Sequence, residues 1–385
     1  MKAPKILFVG GPDVNARIPL MQRLDDFHIT ALGSLNDLKD EFTKAGFEYF
    51  SYPLHRGTNP FADFSTLLYL TRLFRLLRPH IVHTFDTKPG VWGRLAARLA
   101  GVPIVIGTLP GLGTLYTNHS FSTRLKRSIY QPLQKLACLQ SDLTTFQHKT
   151  DARQFVDSGI VPKHKTVVIP GSGVETKVYD PERIPISERE QVRTELGIPL
   201  DALVVTMISR LIRSKGVLEF GNSAKMVQQQ HPGIKFLMVG PADTDSVDRL
   251  SSDELSIIQE TVTWSGARSD IPVILAASDI FALPSYYREG IPRVLLEAAS
   301  MGLPIVTTDS PGCNVIVENN VNGFLIPVRD ADALAQAILK LVTDPSQRLS
   351  FGRASRHRAI THFDLSIIAQ QTGDMYRKLL AEKGL

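Results

Sequence analysis

DIFALPSYYREGIPRVLLEAASMGLPIVTTD, residues 279–309, decides the fold. An apolar run ends at Leu283, a loop follows, a helical pattern opens near Pro292, and a second apolar run closes the stretch. Proline suits a first helical turn because it has no amide hydrogen to leave unpaired. Strand, loop, helix and strand in this order form the repeating unit of a parallel sheet. In such sheets ligands bind beyond the carboxyl ends of the strands, where unpaired amides at a helix N-terminus suit a diphosphate. Gly290, Ile291 and Pro292 are therefore expected to line a nucleotide site. Glu289 precedes the helix and Glu297 lies about two turns into it, so two carboxylates are spaced along one side of the bound nucleotide. A carboxylate can accept two hydrogen bonds from vicinal ribose hydroxyls.

The same alternation runs outward in both directions. ALVVTMIS, KFLMVG, DIFALP, PIVTTD and GFLIPV form one series from residue 202 onward; KILFVG, HITAL, IVHTFD and PIVIGT form an earlier one, each followed by a helical pattern. The fold class is α/β, with two doubly wound Rossmann-like halves. Between them IPGSGVETKVYDPERIPISERE is rich in turn residues and charge, which sets a boundary near 182. The expected organisation is an N-terminal domain over 1–182, a C-terminal domain over 183–363 and a final helix over 364–385. The apolar spacing Leu365, Ile368, Met375 and Leu379 lets that helix pack on either half.

A second cluster, SRLIRSKGVLEF at 209–220, places Arg210 and Lys215 around a loop that leaves a strand. Two cations there can neutralise the charge growing on a departing diphosphate, which is electrophilic help without a metal. WSGARSDIP at 264–272 offers a glycine turn and a helix capped by Ser269 or Asp270, where backbone groups at Ala267 and Arg268 can read a base edge. DTD at 243–245 has the letters of a metal-bridging motif, but nothing around it suggests a nucleotide site. Gly10 and Gly11 permit close approach of a ligand after the first strand, yet they do not make the GxGxxG of a dinucleotide fold. That omission argues against an oxidoreductase.

Hydrophobic residues make up 43% and charged residues 21%, the balance of an ordinary globular protein. Cys138 and Cys313 stand alone, so neither a disulfide framework nor a zinc site is indicated, and a reducing cytoplasm fits. The start MKAPKILFVGG reads as a strand rather than a signal peptide, and the uncharged stretch 99–123 is broken by Pro103, Pro110 and glycines, so no spanning helix is expected. Residues 1–182 carry 22 Lys and Arg against 15 Asp and Glu, while the remainder carries 21 against 23. The basic residues cluster at Arg72, Arg75 and Arg78 and at Arg124, Lys126 and Arg127, beside leucines and phenylalanines. Such helix faces suit anionic lipid or a phosphorylated substrate, and a plain solvated face is the alternative. Nucleic acid is not expected, because no aromatic stacking platform accompanies the charge.

SRLIRSKG, the run from SGARSDIP to GFLIPV, and HTFDTKPGVWGRLAARLAGVP together resemble glycosyltransferase family 4 on the GT-B fold, two Rossmann-like domains facing a cleft. The resemblance implies a retaining glycosyltransferase in which Glu297 binds the donor ribose, Glu289 lies by the donor sugar and α-phosphate, and Arg210 with Lys215 binds the diphosphate. It implies no metal and no cofactor beyond the nucleotide-sugar donor, with Gly11 among the donor contacts. GTLPGLGTLYTNHSFSTRLKRSIYQPLQKLACLQSDLTTFQ is similar to the branch that extends undecaprenyl-diphosphate-linked sugars, whose donors are commonly UDP sugars, N-acetylhexosamines among them. Many members carry a loop histidine where this chain has Pro110, Gly111, Leu112 and Gly113, which leaves His83 and His119 to compensate. On the acceptor side the candidates are Lys88, His83, Gly111, Gly113 and Arg127. The expected setting is peripheral, on the cytoplasmic face of the inner membrane. Two competing readings use the same donor residues: a sugar-nucleotide epimerase or hydrolase that needs no lipid acceptor, and a non-catalytic nucleotide-sugar-binding subunit.

Overall fold

The computed structural model describes residues 3–385 apart from 56, 58, 112–120 and 245, and omits the side chains of 121–123 and 126. Gly113, His119, Leu112, Asp245 and the side chain of Lys126 therefore lie outside the described residues. Two compact units form: Met1–Ser172 with Leu365–Leu385, and Gly173–Asp364.

The first unit holds a parallel sheet of β1 Lys5–Val9, β2 His28–Gly33, β3 Glu48–Ser51, β4 Ile81–Thr84, β5 Ile104–Leu109, β6 Leu143–Phe146 and β7 Thr166–Val168, in the order β3-β2-β1-β4-β5-β6-β7. Successive residues of a strand face opposite sides of a sheet, so a strand covered on both faces must be apolar throughout. In β1, Ile6 and Phe8 join Ile29, Ile81, Ile104 and the C-terminal helix residues Ile368, Tyr376 and Leu379. Leu7 and Val9 face the other way, with Leu70, Phe74, Ala96 and Ala97 from the helices Pro60–Leu77 and Thr87–Leu99.

The second unit repeats the plan with β8 Val204–Ile208, β9 Lys235–Val239, β10 Thr263–Trp264, β11 Ile280–Leu283, β12 Ile305–Thr308 and β13 Gly323–Ile326, ordered β10-β9-β8-β11-β12-β13. Each sheet thus reverses its strand order once, between β1 and β4 and between β8 and β11, and these reversals are where doubly wound sheets open a ligand crevice.

The chain passes from one unit to the other after Ser172 rather than near 182. Residues 173–180 are fastened to the second unit: the Val174 amide donates to the Phe363 carbonyl at 2.9 Å, and Ser300 Oγ to the Tyr179 carbonyl at 2.8 Å. Their turn-rich composition reflects an irregular path along a surface rather than a free linker. The final helix, Leu365–Glu382, belongs to the first unit, where its apolar stripe covers one face of the sheet. No helix among the described residues is long and apolar enough to cross a membrane.

Candidate active site

In the second unit two loops meet at the reversal between β8 and β11. Gly216 adopts φ +81°, and a Cβ there would lie 2.2 Å from the Pro284 carbonyl oxygen, so only glycine permits the contact. The amides of Tyr286 and Tyr287 both donate to the Ser214 carbonyl, at 2.8 and 3.0 Å. This clasp brings Lys215 Nζ to 2.5 Å from Glu289 Oε1, although 74 residues separate them. Ser285 Oγ lies 3.3 Å from the same carboxylate oxygen. Neither member of the ion pair is sealed in: the lysine side chain is 11% exposed and the glutamate 19%.

A second close approach shapes the turn that follows. Gly312, at φ +92°, would place a Cβ 1.8 Å from the Gly290 carbonyl oxygen, so the loops after β11 and β12 lie against each other at Gly290. The helix Arg293–Ser300 begins there with Pro292 as its N-cap and no acidic residue in its first turn. Its unpaired amides and partial positive charge are not neutralised from within.

Glu297 lies one turn further on, nearly buried, with Arg293 Nη2 3.7 Å from its Oε1. Burial pushes its carboxyl above the usual range, and the charge of Arg293 and a hydrogen bond from the Tyr179 hydroxyl act against that rise. The Tyr179 phenol is in turn raised, by its own burial and by the charge of Glu297. Tyr179 is held through its carbonyl, which accepts from Ser300 Oγ at 2.8 Å and Arg356 Nη1 at 3.2 Å. Fully buried Cys313 completes the wall; its thiol is raised by burial and then by the charge of Glu289.

Other candidates stand elsewhere. Arg210 is 52% exposed and pairs with Asp243 at 2.6 Å, so the structure joins Lys215, but not Arg210, to Glu289. Asp243, the first letter of the DTD triplet, thereby serves as a counter-ion to Arg210. Arg268 binds Glu195 at 2.5 Å and Asp270 at 2.7 Å, and its hydrogen bonds hold both carboxyls below their ordinary values. Its guanidinium is engaged by carboxylates, while neighbouring Ala267 is exposed. Asp270 is the N-cap of the helix Ile271–Ala276 but makes no side-chain cap, because its carboxylate is turned to Arg268.

In the first unit, the three ammonium hydrogens of Lys88 are accounted for by the carbonyls of His55 and Gly57 and by Asp63 Oδ1, at 2.8, 2.6 and 2.6 Å. Lys88 is thus a staple between a loop and the helix Pro60–Leu77 rather than a cation open to an acceptor. His83 is buried, with Nδ1 2.5 Å from the Tyr376 hydroxyl and Nε2 2.7 Å from Thr108 Oγ1. Burial, with Arg17 and Arg94 nearby, lowers its pKa well below the usual value, so it stays neutral and ties the final helix to the sheet. Gly11 has its amide taken by Asp86 Oδ2 at 3.0 Å. Gly111 follows β5 with φ +148°, and Arg127 is half-buried on the helix Phe121–Gln140.

The family described as glycosyl transferases group 1 matches residues 188–358, and a glycosyl transferase 4-like domain matches residues 20–171. The UDP-Gal:alpha-D-GlcNAc-diphosphoundecaprenol alpha-1,3-galactosyltransferase of Escherichia coli is 30% identical over 353 residues, covering 91% of this chain and 88% of the relative. The chain belongs to the group 1 glycosyltransferases. The transferase is also 29% identical over 351 residues to the N,N'-diacetylbacillosaminyl-diphospho-undecaprenol alpha-1,3-N-acetylgalactosaminyltransferase of Campylobacter jejuni, covering 89% of this chain and 90% of that one. In architecture the transferase is a GT-B protein: Anabaena HepE in complex with UDP-glucose superposes with a TM-score of 0.79 at 21% identity, over 97% of this chain and 99% of that one.

Sequence reading missed three residues around the site. Tyr179 sits in the segment that carries the expected domain boundary, Ser285 looks like any loop serine, and Cys313 follows the turn Ser310-Pro311-Gly312. Only Cys313 left a signal, since a glycine beside an apolar cysteine marks a close approach next to a buried side chain.

Proposed function

We propose that the transferase moves a hexose or N-acetylhexosamine from a UDP-sugar, with retention and without a metal, to a polyprenyl-diphosphate-linked saccharide in the assembly of a bacterial surface glycan. The observation that carries this reading is the Lys215–Glu289 pair, clasped beside a helix N-terminus with Glu297 buried one turn beyond it. Glu297 accepts the ribose hydroxyls, and the first-turn amides and Lys215 hold the diphosphate. As the glycosidic bond breaks, Lys215 meets the charge that grows on the leaving phosphate, an interaction stronger in the transition state than in the ground state. Glu289, oriented by Lys215 and Ser285, takes hydroxyls of the donor sugar. Arg210, held by Asp243, is poised to join when a diphosphate offers it a better partner. The names of the two undecaprenol-linked relatives support the lipid acceptor, and the UDP-Gal in one of them supports the donor.

The membrane side of the reading rests on the first unit. Phe61 is 89% exposed and Phe64, Leu68 and Leu76 are exposed on the same helix, among Arg72, Arg75 and Arg78. Leu125, Ile129, Leu136 and Leu139 form an exposed stripe on the helix Phe121–Gln140. Apolar side chains among cations suit an anionic leaflet, and the enzyme works peripherally on its cytoplasmic face.

The test is transfer of labelled sugar from UDP-N-acetylgalactosamine, UDP-N-acetylglucosamine and UDP-galactose to a polyprenyl-diphosphate-linked sugar, in EDTA. Wild type yields product with one donor, and Glu289→Ala lowers kcat by roughly 100-fold or more, as losing an electrostatic partner of the reacting centre does. No product from any donor, with UDP binding intact, would sink the lipid acceptor and favour a soluble one or an epimerase.

A further inference from the structure

Asp86 departs from what its position calls for. It is the N-cap of the helix Thr87–Leu99, a place where aspartate normally accepts a hydrogen bond from the helix's own first amides. Here no such cap forms. Its backbone instead adopts φ +69° and ψ +176°, a strained region that residues other than glycine seldom occupy. That conformation swings the carboxylate away from the helix and across to β1, where Oδ2 accepts from the Gly11 amide at 3.0 Å.

The strain thus aims a carboxylate at a particular place. Gly11 follows β1 and Asp86 follows β4, the two strands between which the first sheet reverses its order. The crevice at such a reversal is where a doubly wound domain holds its ligand. Arg17 and Asp13 act electrostatically on Asp86, and the Arg17 guanidinium stacks 3.8 Å over the ring of Phe85. A carboxylate with a cation beside it, at the open end of a sheet, matches the hydroxyls of a sugar joined to a phosphate. Apart from Gly11, the donor features described above lie in the second unit.

We propose that Asp86 is an acceptor-binding residue, whose carboxylate accepts a hydrogen bond from a hydroxyl of the sugar that receives the transferred one. It binds and orients; no proton passes to it. This assignment rests on the lipid-linked saccharide acceptor argued above. Gly11 holds the carboxylate in place through Oδ2, and the assignment gives the sugar hydroxyl to Oδ1, so that the first glycine loop has a role in acceptor rather than donor recognition.

Asp86→Asn tests the assignment because it keeps an oxygen for the Gly11 amide while removing the charge and turning the second acceptor into an NH2 donor. Three quantities are measured on wild type and variant: UDP affinity by calorimetry, hydrolysis of UDP-sugar without acceptor, and transfer to the polyprenyl-diphosphate-linked sugar. UDP affinity and hydrolysis are expected to stay within twofold. Transfer kcat/KM should fall roughly 10- to 100-fold, as the loss of a charged hydrogen bond implies. Asp86→Gly removes the carboxylate and the strain together, and should lose transfer while melting no lower than wild type. Transfer at the wild-type level in Asp86→Asn overturns the assignment, as does a parallel fall in UDP affinity and hydrolysis. A wild type that binds UDP yet transfers to no lipid-linked sugar overturns the functional reading itself, and the role of Asp86 with it.

Discussion

Glu297 ties the stability of the fold to pH through one buried side chain. Its carboxyl is raised by burial, so its protonation favours the folded protein. The stabilising contribution is fully present below the ordinary carboxyl pKa and is lost as pH rises through the higher folded value. Above that value the ionised carboxylate costs folding energy, and on the proposed function it is the form that accepts the ribose hydroxyls. Glu297→Gln should raise the melting temperature near pH 7 to 8, with the gain shrinking as pH falls through the folded pKa. The same variant should weaken UDP-sugar binding roughly 10- to 100-fold, the magnitude of a charged hydrogen bond. Paired melting and titration calorimetry across pH check both halves, and a variant that is less stable at neutral pH would contradict the account. Tyr179→Phe removes a group that opposes the rise, so its donor affinity should fail at a higher pH than that of wild type on acidification.

At the scale of elements, the site depends on two glycines that let loops touch, and they differ from glycines that merely turn the chain. Gly312→Ala would drive a Cβ into the Gly290 carbonyl and displace the turn that leads into the helix Arg293–Ser300. UDP affinity should fall at least about 10-fold, since a site displaced by about 1 Å loses that much or more, while far-ultraviolet circular dichroism stays unchanged. Gly197 has a similar backbone, φ +66°, but a methyl group placed on it would meet nothing within 4 Å, so Gly197→Ala should cost about 1–2 kcal/mol of stability and leave UDP binding intact. Equal loss of affinity in both variants would mean that backbone strain, not the loop contact, is at work. The glycines also mark how far sequence reading reaches. The strand, loop and helix around Glu289 were legible because apolar runs, a helix-opening proline and paired glutamates all fall in one stretch. The edge strands Glu48–Ser51 and Thr166–Val168, and Leu143–Phe146 next to the latter, were not, being short and carrying Glu48, Thr144, Thr145 and Thr166 amid their apolar residues. The pairing of Lys215 with Glu289 could be guessed as two loops at one sheet mouth, whereas the strained Asp86 leaves no trace in composition or periodicity.

At the scale of the whole molecule, the two units repeat one strand order but are finished differently. The first recruits the end of the chain: Tyr376 reaches His83 at 2.5 Å, and Ile368 and Leu379 seal one side of its sheet. The opposite face is covered by the helices Pro60–Leu77 and Thr87–Leu99, and Pro60–Leu77 keeps large apolar side chains in water. Leaving two phenylalanines in water within one helical turn is costly unless something covers them, because burying a phenylalanine is worth about 1.5–3 kcal/mol. An anionic bilayer is the cover that the neighbouring arginines favour, each adding about 1 kcal/mol near such a surface. Wild type should therefore sediment with mixed phosphatidylcholine–phosphatidylglycerol vesicles, less so with phosphatidylcholine alone, and less again as salt is raised. The double variant Phe61→Ser with Phe64→Ser should weaken vesicle binding roughly 100-fold, the loss that about 3 kcal/mol of apolar burial implies. It should keep transfer to a short-chain, water-soluble acceptor at the wild-type rate, because neither residue is among those proposed to hold the donor or the acceptor. Undiminished vesicle binding by the variant, or equal binding to neutral and anionic vesicles, would remove the membrane role from this face and leave its phenylalanines to be covered by another protein.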